Sequence, residues 1–266
     1  MTAVDHVLGA HPDRFTRPID GLAAPPYTTE SEIHEVFALF GYAAAITERL
    51  ELATSILVLP QRQAQLVAKQ AAAVDVLSKG RVRLGVGVGW NYAEMEAMGE
   101  DFRTRGRRFE EQIEVLRRLW TEPLVTFEGR WHTIDRLSIN PRPVQRPIPI
   151  WIGCGMSEPL VRRVARLADG WMPRQTGESG EEFSVTLERL RGYAQEAGRD
   201  PAAIGIDVRI AASLDSPDAW LKRATEMQAL GVTHITLSTS RDVRTPAELV
   251  AAVPRYRRML DGVVAV

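Results

Sequence analysis

The chain has 266 residues, of which 45% are apolar and 25% are charged, the composition of an ordinary globular protein. Its formal net charge of −1 offers no basic field, which argues against nucleic acid and anionic membrane surfaces as partners. The single cysteine, Cys154, excludes an internal disulfide and favours a cytoplasmic location, and no apolar run approaches the roughly 20 residues that span a bilayer.

The first third of the chain predicts alternating strands and helices around one long loop. In chain order we predict an apolar strand stub (residues 2–8), a proline-rich loop (9–29), a helix (31–48), a strand (50–59) and a helix (63–77). A loop of that length inside a compact domain is usually functional.

The next strand, residues 81–90, has an unusual glycine pattern. Gly85, Gly87 and Gly89 occupy every second position, so all three lie on one face of the strand. Glycine weakens a strand, which indicates that something approaches this face closely. Two explanations stay open: a flat ligand lies over the end of the strand, or large side chains from neighbouring strands fill the space.

The rest of the chain repeats the alternation. In chain order we predict a short helical piece (within 90–102), a helix (103–121), a hairpin (125–134), a strand (150–153), a helix (157–167), a strand (170–172), a helix (181–197), a strand (204–212), a helix (216–230), a strand (234–238) and a closing helix from Thr245.

Near-continuously apolar strands that alternate with helices predict a parallel sheet covered by helices. A closed (β/α)8 barrel needs eight strands and eight helices, and this chain is one strand–helix unit short at its start. We therefore predict an α/β TIM (β/α)8 barrel in a single domain, residues 1–266. Its first strand–helix unit is missing from the count, through a wrong start codon or a real truncation.

Eight runs of residues carry a family resemblance. They are residues 40–49, 57–62, 68–70, 75–81, 84–90, 140–145, 149–153 and 168–171. With these motifs the chain, from about Asp5 onward, resembles the bacterial luciferase-like monooxygenase superfamily, and within it the deazaflavin-dependent oxidoreductases. The resemblance implies a TIM barrel of the bacterial luciferase type, with the deazaflavin coenzyme F-420 at the C-terminal mouth of the barrel. Other members hold FMN there, so the cofactor decides between hydride transfer and oxygen chemistry.

The resemblance implies that part of the cofactor site lies on two strands. Ser55 and Ile56 would form a bulge with a non-proline cis peptide bond that supports the cofactor ring from behind. The alternative is an ordinary buried strand. Gly87 and Gly89 would then line the same ring from the glycine-rich strand.

Asp5 and His6 match an active-site Asp-His pair of deazaflavin relatives, and the histidine is suited to bond a cofactor carbonyl or to act as a general acid. A solvent-exposed histidine at a frayed terminus is the alternative. Trp90 would stack on the ring or wall it off, and Asn91 would bond its edge. Some sugar-phosphate-oxidising relatives have a glutamate acid at the position of Trp90, which argues against their mechanism here. Glu94 is a second candidate acid, or a surface helix residue.

The turn after the strand at residues 150–153 is implied to hold the cofactor phosphate. Gly153, Cys154, Gly155 and Ser157 precede a helix whose N-terminal N–H groups suit an anion, with Gly155 and Ser157 as the main contacts. A simple turn with Ser157 as N-cap is the alternative. Arg62 is a candidate for binding an anionic substrate or the polyglutamate tail of the deazaflavin, or else a surface arginine.

Three functions follow from these observations. The first is an oxidoreductase that transfers hydride between coenzyme F-420 and a small organic substrate. The second is an FMN-dependent monooxygenase that uses oxygen, and the third is an inactive barrel that serves as a binding or structural protein. No metal-binding spacing of His and Cys is present, and the residues expected to select the substrate lie in the 9–29 loop and around 174–180. Because relatives are often dimers, the resemblance offers a homodimer as a candidate assembly.

Overall fold

A computed structural model describes residues 1–16, 19, 24–174, 181–239, 243 and 245–261. The chain divides into two compact units, Met1–Gly153 and Cys154–Val266. The prediction of a single domain stays a prediction.

The first unit alternates parallel strands with helices and adds one hairpin. Its elements are β1 (Thr2–Ala3), α1 (Val36–Ile46), β2 (Leu52–Thr54), β3 (Leu57–Val58), α2 (Ala64–Leu77), β4 (Val82–Gly87), α3 (Tyr92–Ala97), α4 (Arg105–Thr121), β5 (Val125–Glu128), β6 (Thr133–Leu137) and β7 (Ile150–Cys154). Strands β1, β2, β4 and β7 pair in that order as parallel neighbours, and β3 also pairs with β4. The predicted hairpin is confirmed as the antiparallel pair β5–β6.

The second unit continues the same pattern. Its elements are α5 (Glu158–Leu167), β8 (Gly170–Pro173), α6 (Glu181–Glu196), β9 (Gly205–Ala211), α7 (Pro217–Ala229), β10 (His234–Ser238) and α8 (Pro246–Leu260). Strand β9 pairs in parallel with both β8 and β10. The predicted alternation of strand and helix is confirmed here element by element. Each strand carries apolar residues, and each helix begins at a Ser-Pro, Thr-Pro or other polar start.

The first helix begins later than the sequence pattern suggested. We expected it from residue 31, but α1 starts at Val36 because the carboxylate of Glu35 accepts a hydrogen bond from the Ala38 N–H (2.7 Å) and caps the helix. Upstream, the hydroxyl of Ser31 accepts a bond from the Thr28 N–H (2.9 Å) and holds a turn.

The predicted strand at residues 50–59 is divided into β2 and β3. The break is a non-proline cis peptide bond between Ser55 and Ile56, as the family resemblance implied, so the alternative of an ordinary continuous strand is wrong. Just before the break, the Thr54 hydroxyl donates to the carbonyl oxygen of Gly85 (2.6 Å) and ties β2 to the glycine-rich strand.

The Ile56 side chain fills the space that the glycines leave. A Cβ added at Gly87 or at Gly153 would overlap with side-chain atoms of Ile56, and one added at Gly89 would lie 2.5 Å from a methyl carbon of Val58. Packing of side chains from a neighbouring strand therefore accounts for these glycines. That was the second of the two explanations left open by the sequence, and direct contact between these glycines and a cofactor stays a prediction.

Replacing Gly153 by alanine tests this packing. The new methyl meets the branched Cγ2 of Ile56, which cannot move without a change of rotamer, so we expect a loss of about 1–3 kcal/mol in the free energy of unfolding measured in urea. In an Ile56→Ala background the same substitution should cost much less, because the clash is gone.

The matched control is Gly192→Ala. Gly192 lies within α6, where an added Cβ meets no atom within 4 Å, so alanine should be neutral or stabilising by up to about 1 kcal/mol. An equal cost of Gly153→Ala in both backgrounds would contradict the proposed role of Ile56.

Candidate active site at the strand ends of the first unit

Polar side chains of the first unit converge where three parallel strands end. Ala3 of β1 is in register with Thr54 of β2, and Val58 of β3 is in register with Gly87 of β4. The segments that follow these strands therefore start from one edge of the sheet, where enzymes of parallel α/β folds place their reactive groups. These segments carry Asp5 and His6, Gln61 and Arg62, and Asn91 and Glu94.

His6 and Glu94 form a hydrogen-bonded pair at this edge. The Nδ1 atom of His6 lies 2.8 Å from Oε2 of Glu94, and the Glu94 carboxylate is buried, with a residue exposure of 1%. The interpretation of Glu94 as a surface helix residue is therefore wrong. The alternative that His6 is a solvent-exposed residue at a frayed terminus is also wrong, because its side chain is only 14% exposed.

The other oxygen of Glu94 accepts three hydrogen bonds. They come from the N–H groups of Val7 (2.6 Å) and Leu8 (3.1 Å) and from the side-chain amide of Gln61 (3.1 Å). Burial acts to raise the pKa of Glu94, but the bond and charge of His6, together with these N–H groups, outweigh it and hold the pKa below its usual range. Glu94 is therefore an ionised carboxylate at neutral pH.

Tyr27 and Asn91 complete the cluster. The Tyr27 hydroxyl lies 2.9 Å from Nδ1 of His6 and 3.3 Å from Oε2 of Glu94, and it accepts a bond from the Asn91 side-chain amide (2.6 Å). Burial and the nearby Glu94 charge raise the pKa of Tyr27, so the phenol stays neutral. Asn91 also caps α3, because its side-chain oxygen accepts the Glu94 N–H (3.1 Å). Its predicted bond to a cofactor edge stays a prediction.

Asp5 and Arg62 form a separate ion pair beside this cluster. Nη2 of Arg62 donates to Oδ1 of Asp5 (2.7 Å), and Glu35 lies 3.7 Å from the same guanidinium. Both members of the pair are largely buried, so Arg62 is not the surface arginine that we considered. Burial raises the pKa of Asp5, while the charge and hydrogen bond of Arg62 act to lower it. The guanidinium is thus already paired with protein carboxylates.

Aromatic rings surround His6 and Trp90. The His6 ring lies 4.0 Å from that of Tyr27 and 5.7 Å from that of Trp90, and Phe15 stacks on Trp90 with centroids 6.0 Å apart. Trp90 is only partly buried. This aromatic wall is compatible with the predicted role of Trp90 beside a flat ring, which stays a prediction.

The predicted phosphate turn opens the second unit. Ser157 occupies the N-cap position of α5 and is exposed, yet its side chain makes no capping hydrogen bond. Gly155 has only one atom near the position of an added Cβ, Leu160 Cδ1 at 4.0 Å. Burial raises the pKa of the Cys154 thiol to about 12, so Cys154 is not a nucleophile at neutral pH. The phosphate contacts of Gly153, Cys154, Gly155 and Ser157 stay predictions.

Part of the predicted substrate region lies outside the described residues. This holds for residues 175–180 and for residues 17–18 and 20–23 of the 9–29 loop. Among the residues that are described, no group of three His, Cys, Asp or Glu side chains is arranged to hold a metal ion. In the same part of the chain, no helix is long and apolar enough to cross a membrane.

The second unit has a cleft of about 460 Å³ away from the turn at Ser157, at the starts of β9 and β10. Its polar members serve the protein itself: Arg191 donates to the Leu230 carbonyl (3.0 Å), and Thr233 donates to the Ile206 carbonyl (3.0 Å). The Asp200 side chain accepts the Ala202 N–H (2.9 Å). We therefore assign no reaction to this cleft.

Sequence reasoning missed Tyr27 and Gln61 and undervalued Glu94. One signal was available for Glu94. Asn91 is a good N-cap residue directly after a predicted strand, which places Glu94 in the first turn of a helix at the strand end. No pattern marked Tyr27, which lies in a proline-rich loop.

Known proteins resemble this chain in sequence and in fold. The family described as luciferase-like monooxygenase matches residues 21–258. An uncharacterised protein of Mycobacterium tuberculosis is 36% identical over 196 residues, which cover 71% of this chain and 66% of that protein. A coenzyme F-420-dependent glucose-6-phosphate dehydrogenase of Segniliparus rotundus is 32% identical over 190 residues, which cover 69% and 55%.

Among solved structures, the monooxygenase RslO1 from Streptomyces bottropensis has a TM-score of 0.61 and 25% identity, covering 86% of this chain and 63% of that one. In each of these three comparisons the matched region spans less than two thirds of the relative's own length.

Replacing Tyr27 by phenylalanine tests the cluster. The substitution leaves the buried Asn91 amide without its acceptor, so we expect a loss of about 1–2 kcal/mol in the free energy of unfolding, measured in urea. Tyr42→Phe is the matched control, because Tyr42 is 68% exposed and should change stability by less than about 0.5 kcal/mol. Equal stability of the two variants would contradict the packing of Tyr27 described above.

Proposed function

The chain belongs to the luciferase-like monooxygenase family, and from that premise we propose that it is an oxidoreductase that transfers hydride between coenzyme F-420 and a small organic substrate. The predicted fold class, a TIM barrel of the bacterial luciferase type, is confirmed by this family match and by the fold of solved relatives. The activity itself is our proposal, because the chain matches only part of each relative's length.

One observation carries the proposal: a histidine in the segment after β1 is paired with a buried carboxylate. His6 bonds Glu94 through Nδ1, and the hydrogen bonds that its side chain makes to described residues all involve that nitrogen. Nε2 is therefore the nitrogen that is suited to exchange a proton with a substrate. The same pair also explains why the segment that follows β1 is packed rather than frayed.

His6 supplies the proton step that a hydride transfer requires. In the oxidising direction the hydroxyl proton of the substrate moves to Nε2 of His6 while the neighbouring carbon loses a hydride and becomes a carbonyl. In the reducing direction the same nitrogen returns the proton. When bound, coenzyme F-420 supplies the ring carbon that takes or gives the hydride.

The residues present fit a flat ring cofactor at this edge. Ile56 is half-buried and lies against Gly87 and Gly153, so an apolar surface backed by glycines stands beside the segment that carries His6. Ser55 follows Thr54, whose strand partner is Ala3, three residues before His6. We propose that Ser55 and Ile56 support the ring and that Trp90 borders it, as the family resemblance implied.

The substrate that this site favours is uncharged. The Arg62 guanidinium is bonded to Asp5 and lies near Glu35, and the rings nearest to His6 belong to Tyr27 and Trp90. These contacts weaken the expectation that Arg62 binds an anionic substrate or a polyglutamate tail. We propose a small hydroxyl or carbonyl compound without a phosphate.

The alternative function is an FMN-dependent monooxygenase, which the likeness to a monooxygenase structure supports. Titration of the purified protein with oxidised coenzyme F-420 and with FMN, followed by absorbance after gel filtration, separates the two. We expect F-420 to stay with the protein. Tight binding of FMN alone would overturn our proposal, and binding of neither would favour the inactive-barrel alternative.

The lone cysteine still favours a cytoplasmic location.

His6→Gln tests the catalytic assignment. We expect the variant to bind coenzyme F-420 as the unaltered protein does, while F-420 reduction by a panel of small alcohols slows by on the order of 10²–10⁴-fold, the usual contribution of a general base. His11→Gln is the control, because the His11 side chain is 67% exposed and lies near Asp13. Full activity of His6→Gln would contradict the role of His6.

We also propose that the protein forms a homodimer through α1. This helix contains no charged residue, yet Tyr42 and Ile46 on its outer face are 68% and 65% exposed. A helix that is apolar on all sides is normally buried. A second copy of the chain, which presents the same face, is the simplest cover for it.

Ile46→Glu tests the homodimer in sedimentation velocity. A buried, unpaired charge at the interface should convert a dimer into a monomer. Val250→Glu is the control, because Val250 of α8 is 74% exposed on a different helix and should leave the dimer intact. A monomeric unaltered protein would overturn the proposal.

A further inference from the structure

We propose that Glu94 is a positioning residue that holds the neutral form of His6 in the tautomer with the proton on Nδ1, so that Nε2 presents a lone pair to the substrate. The inference about the reaction rests on the proposed function, whereas the inference about the tautomer rests on the cluster alone. Glu94 does not touch substrate in this assignment; it acts through His6.

The donors around Glu94 determine that its carboxylate acts only as a hydrogen-bond acceptor. Oε1 accepts from two backbone N–H groups, Val7 and Leu8, and from the Gln61 amide, and none of these groups is able to accept a proton in return. An oxygen surrounded by three donors is an acceptor, and the second oxygen of an ionised carboxylate is an acceptor as well. Glu94 therefore has no proton to offer His6.

The tautomer of His6 follows from that constraint. Nδ1 lies 2.8 Å from Oε2 of Glu94. If Nδ1 carried a lone pair, the Tyr27 hydroxyl 2.9 Å away would donate to it, but Oε2 of the buried carboxylate would face that lone pair at 2.8 Å and would be left without a donor. If Nδ1 carries the proton, it donates a charge-assisted bond. The second arrangement is the one that satisfies both groups.

Tyr27 fits the same arrangement. Its oxygen accepts the Asn91 amide proton, so its own hydrogen is free to donate to Oε2 of Glu94 at 3.3 Å. The other charged or titratable groups near His6 are Asp5, the preceding residue, and Arg62, which is bonded to Asp5. Neither of them contacts Nδ1. The Tyr27 hydroxyl does, at 2.9 Å, but a hydroxyl is able to donate or accept, so Glu94, which only accepts, is the group that selects the tautomer.

Glu94→Gln tests the proposal most directly, because glutamine has the same shape as glutamate but carries one acceptor oxygen and one donor NH₂ group. The three N–H groups of Val7, Leu8 and Gln61 require the amide oxygen at the position of Oε1. The amide NH₂ then replaces Oε2 and donates to Nδ1 of His6. The variant should therefore invert the tautomer and place the proton on Nε2, where it blocks proton uptake from a hydroxyl substrate.

The first measurement is nitrogen NMR of protein labelled with ¹⁵N-histidine, above the pH range in which histidine is protonated, with the His6 signals assigned by their loss in His6→Gln. We expect Nδ1 of His6 to be the protonated nitrogen in the unaltered protein and Nε2 to be the protonated nitrogen in Glu94→Gln. A lone pair on Nδ1 in the unaltered protein overturns the proposal, even if the variant fails to fold. An unchanged tautomer in Glu94→Gln overturns it as well.

The second measurement is steady-state kinetics with coenzyme F-420 and a responsive alcohol. We expect kcat of Glu94→Gln to fall by on the order of 10²–10⁴-fold, the scale seen when a catalytic histidine has the wrong tautomer, with KM within about threefold. Tyr27→Phe keeps the Glu94–His6 bond, so its kcat should fall by less than about tenfold. Equal losses in the two variants would indicate a merely structural role and overturn the proposal.

The chain supplies a matched control pair. Nδ1 of His132 lies 2.8 Å from Oε1 of Glu111 in the β5–β6 hairpin, a second carboxylate–imidazole contact outside the candidate site. Glu111→Gln should change the NMR signals of His132 and leave the His6 tautomer and kcat unchanged. If the His6 tautomer is as expected but no variant or unaltered protein reduces F-420, the proposed function fails while the positioning role of Glu94 stands.

Discussion

A buried carboxylate has to be surrounded by donors, and the candidate site is organised around this requirement for Glu94. Among the described residues, five groups lie within hydrogen-bond distance of its two oxygens: two backbone N–H groups, an amide, an imidazole and a phenol. They come from the segment after β1, the loop before α1 and the turn after β3. An isolated buried charge would be costly, so these segments have to stay in place around it.

The apolar part of the same edge obeys a packing constraint. The Ile56 side chain lies against Gly87 and Gly153, and a side chain at either of these positions would overlap with it. Because glycines on β4 and β7 accommodate one isoleucine from the break between β2 and β3, three neighbouring strands contribute to a single smooth patch. The polar cluster and this patch together give the edge one polar side and one apolar side, which is what the proposed flat cofactor and small neutral substrate would require.

Much of the fold was predictable from the sequence because strand and helix periods differ clearly and most of the parallel strands are largely apolar. The site was predictable only in part. The break at Ser55 followed from the family motif. The glycines of β4, in contrast, were equally consistent with a bound ligand and with packing of a neighbouring side chain, and only the structure shows that Ile56 packs against Gly87. Glu94 and Arg62 were ambiguous because a charged residue near a helix start has the same local pattern whether it is exposed or buried with a partner. Pairings such as Glu94 with Val7 depend on tertiary contacts that no local pattern encodes.

The bonds from the N–H groups of Val7 and Leu8 to Glu94 also bear on how the protein folds. Their partners lie 87 and 86 residues further along the chain, so the entropy of closing that long loop opposes docking until β2, β4 and α3 have formed. The segment that carries His6 should therefore be among the last to settle and the first to detach. Amide hydrogen exchange at these two residues would then report opening of the candidate site separately from unfolding of the sheet.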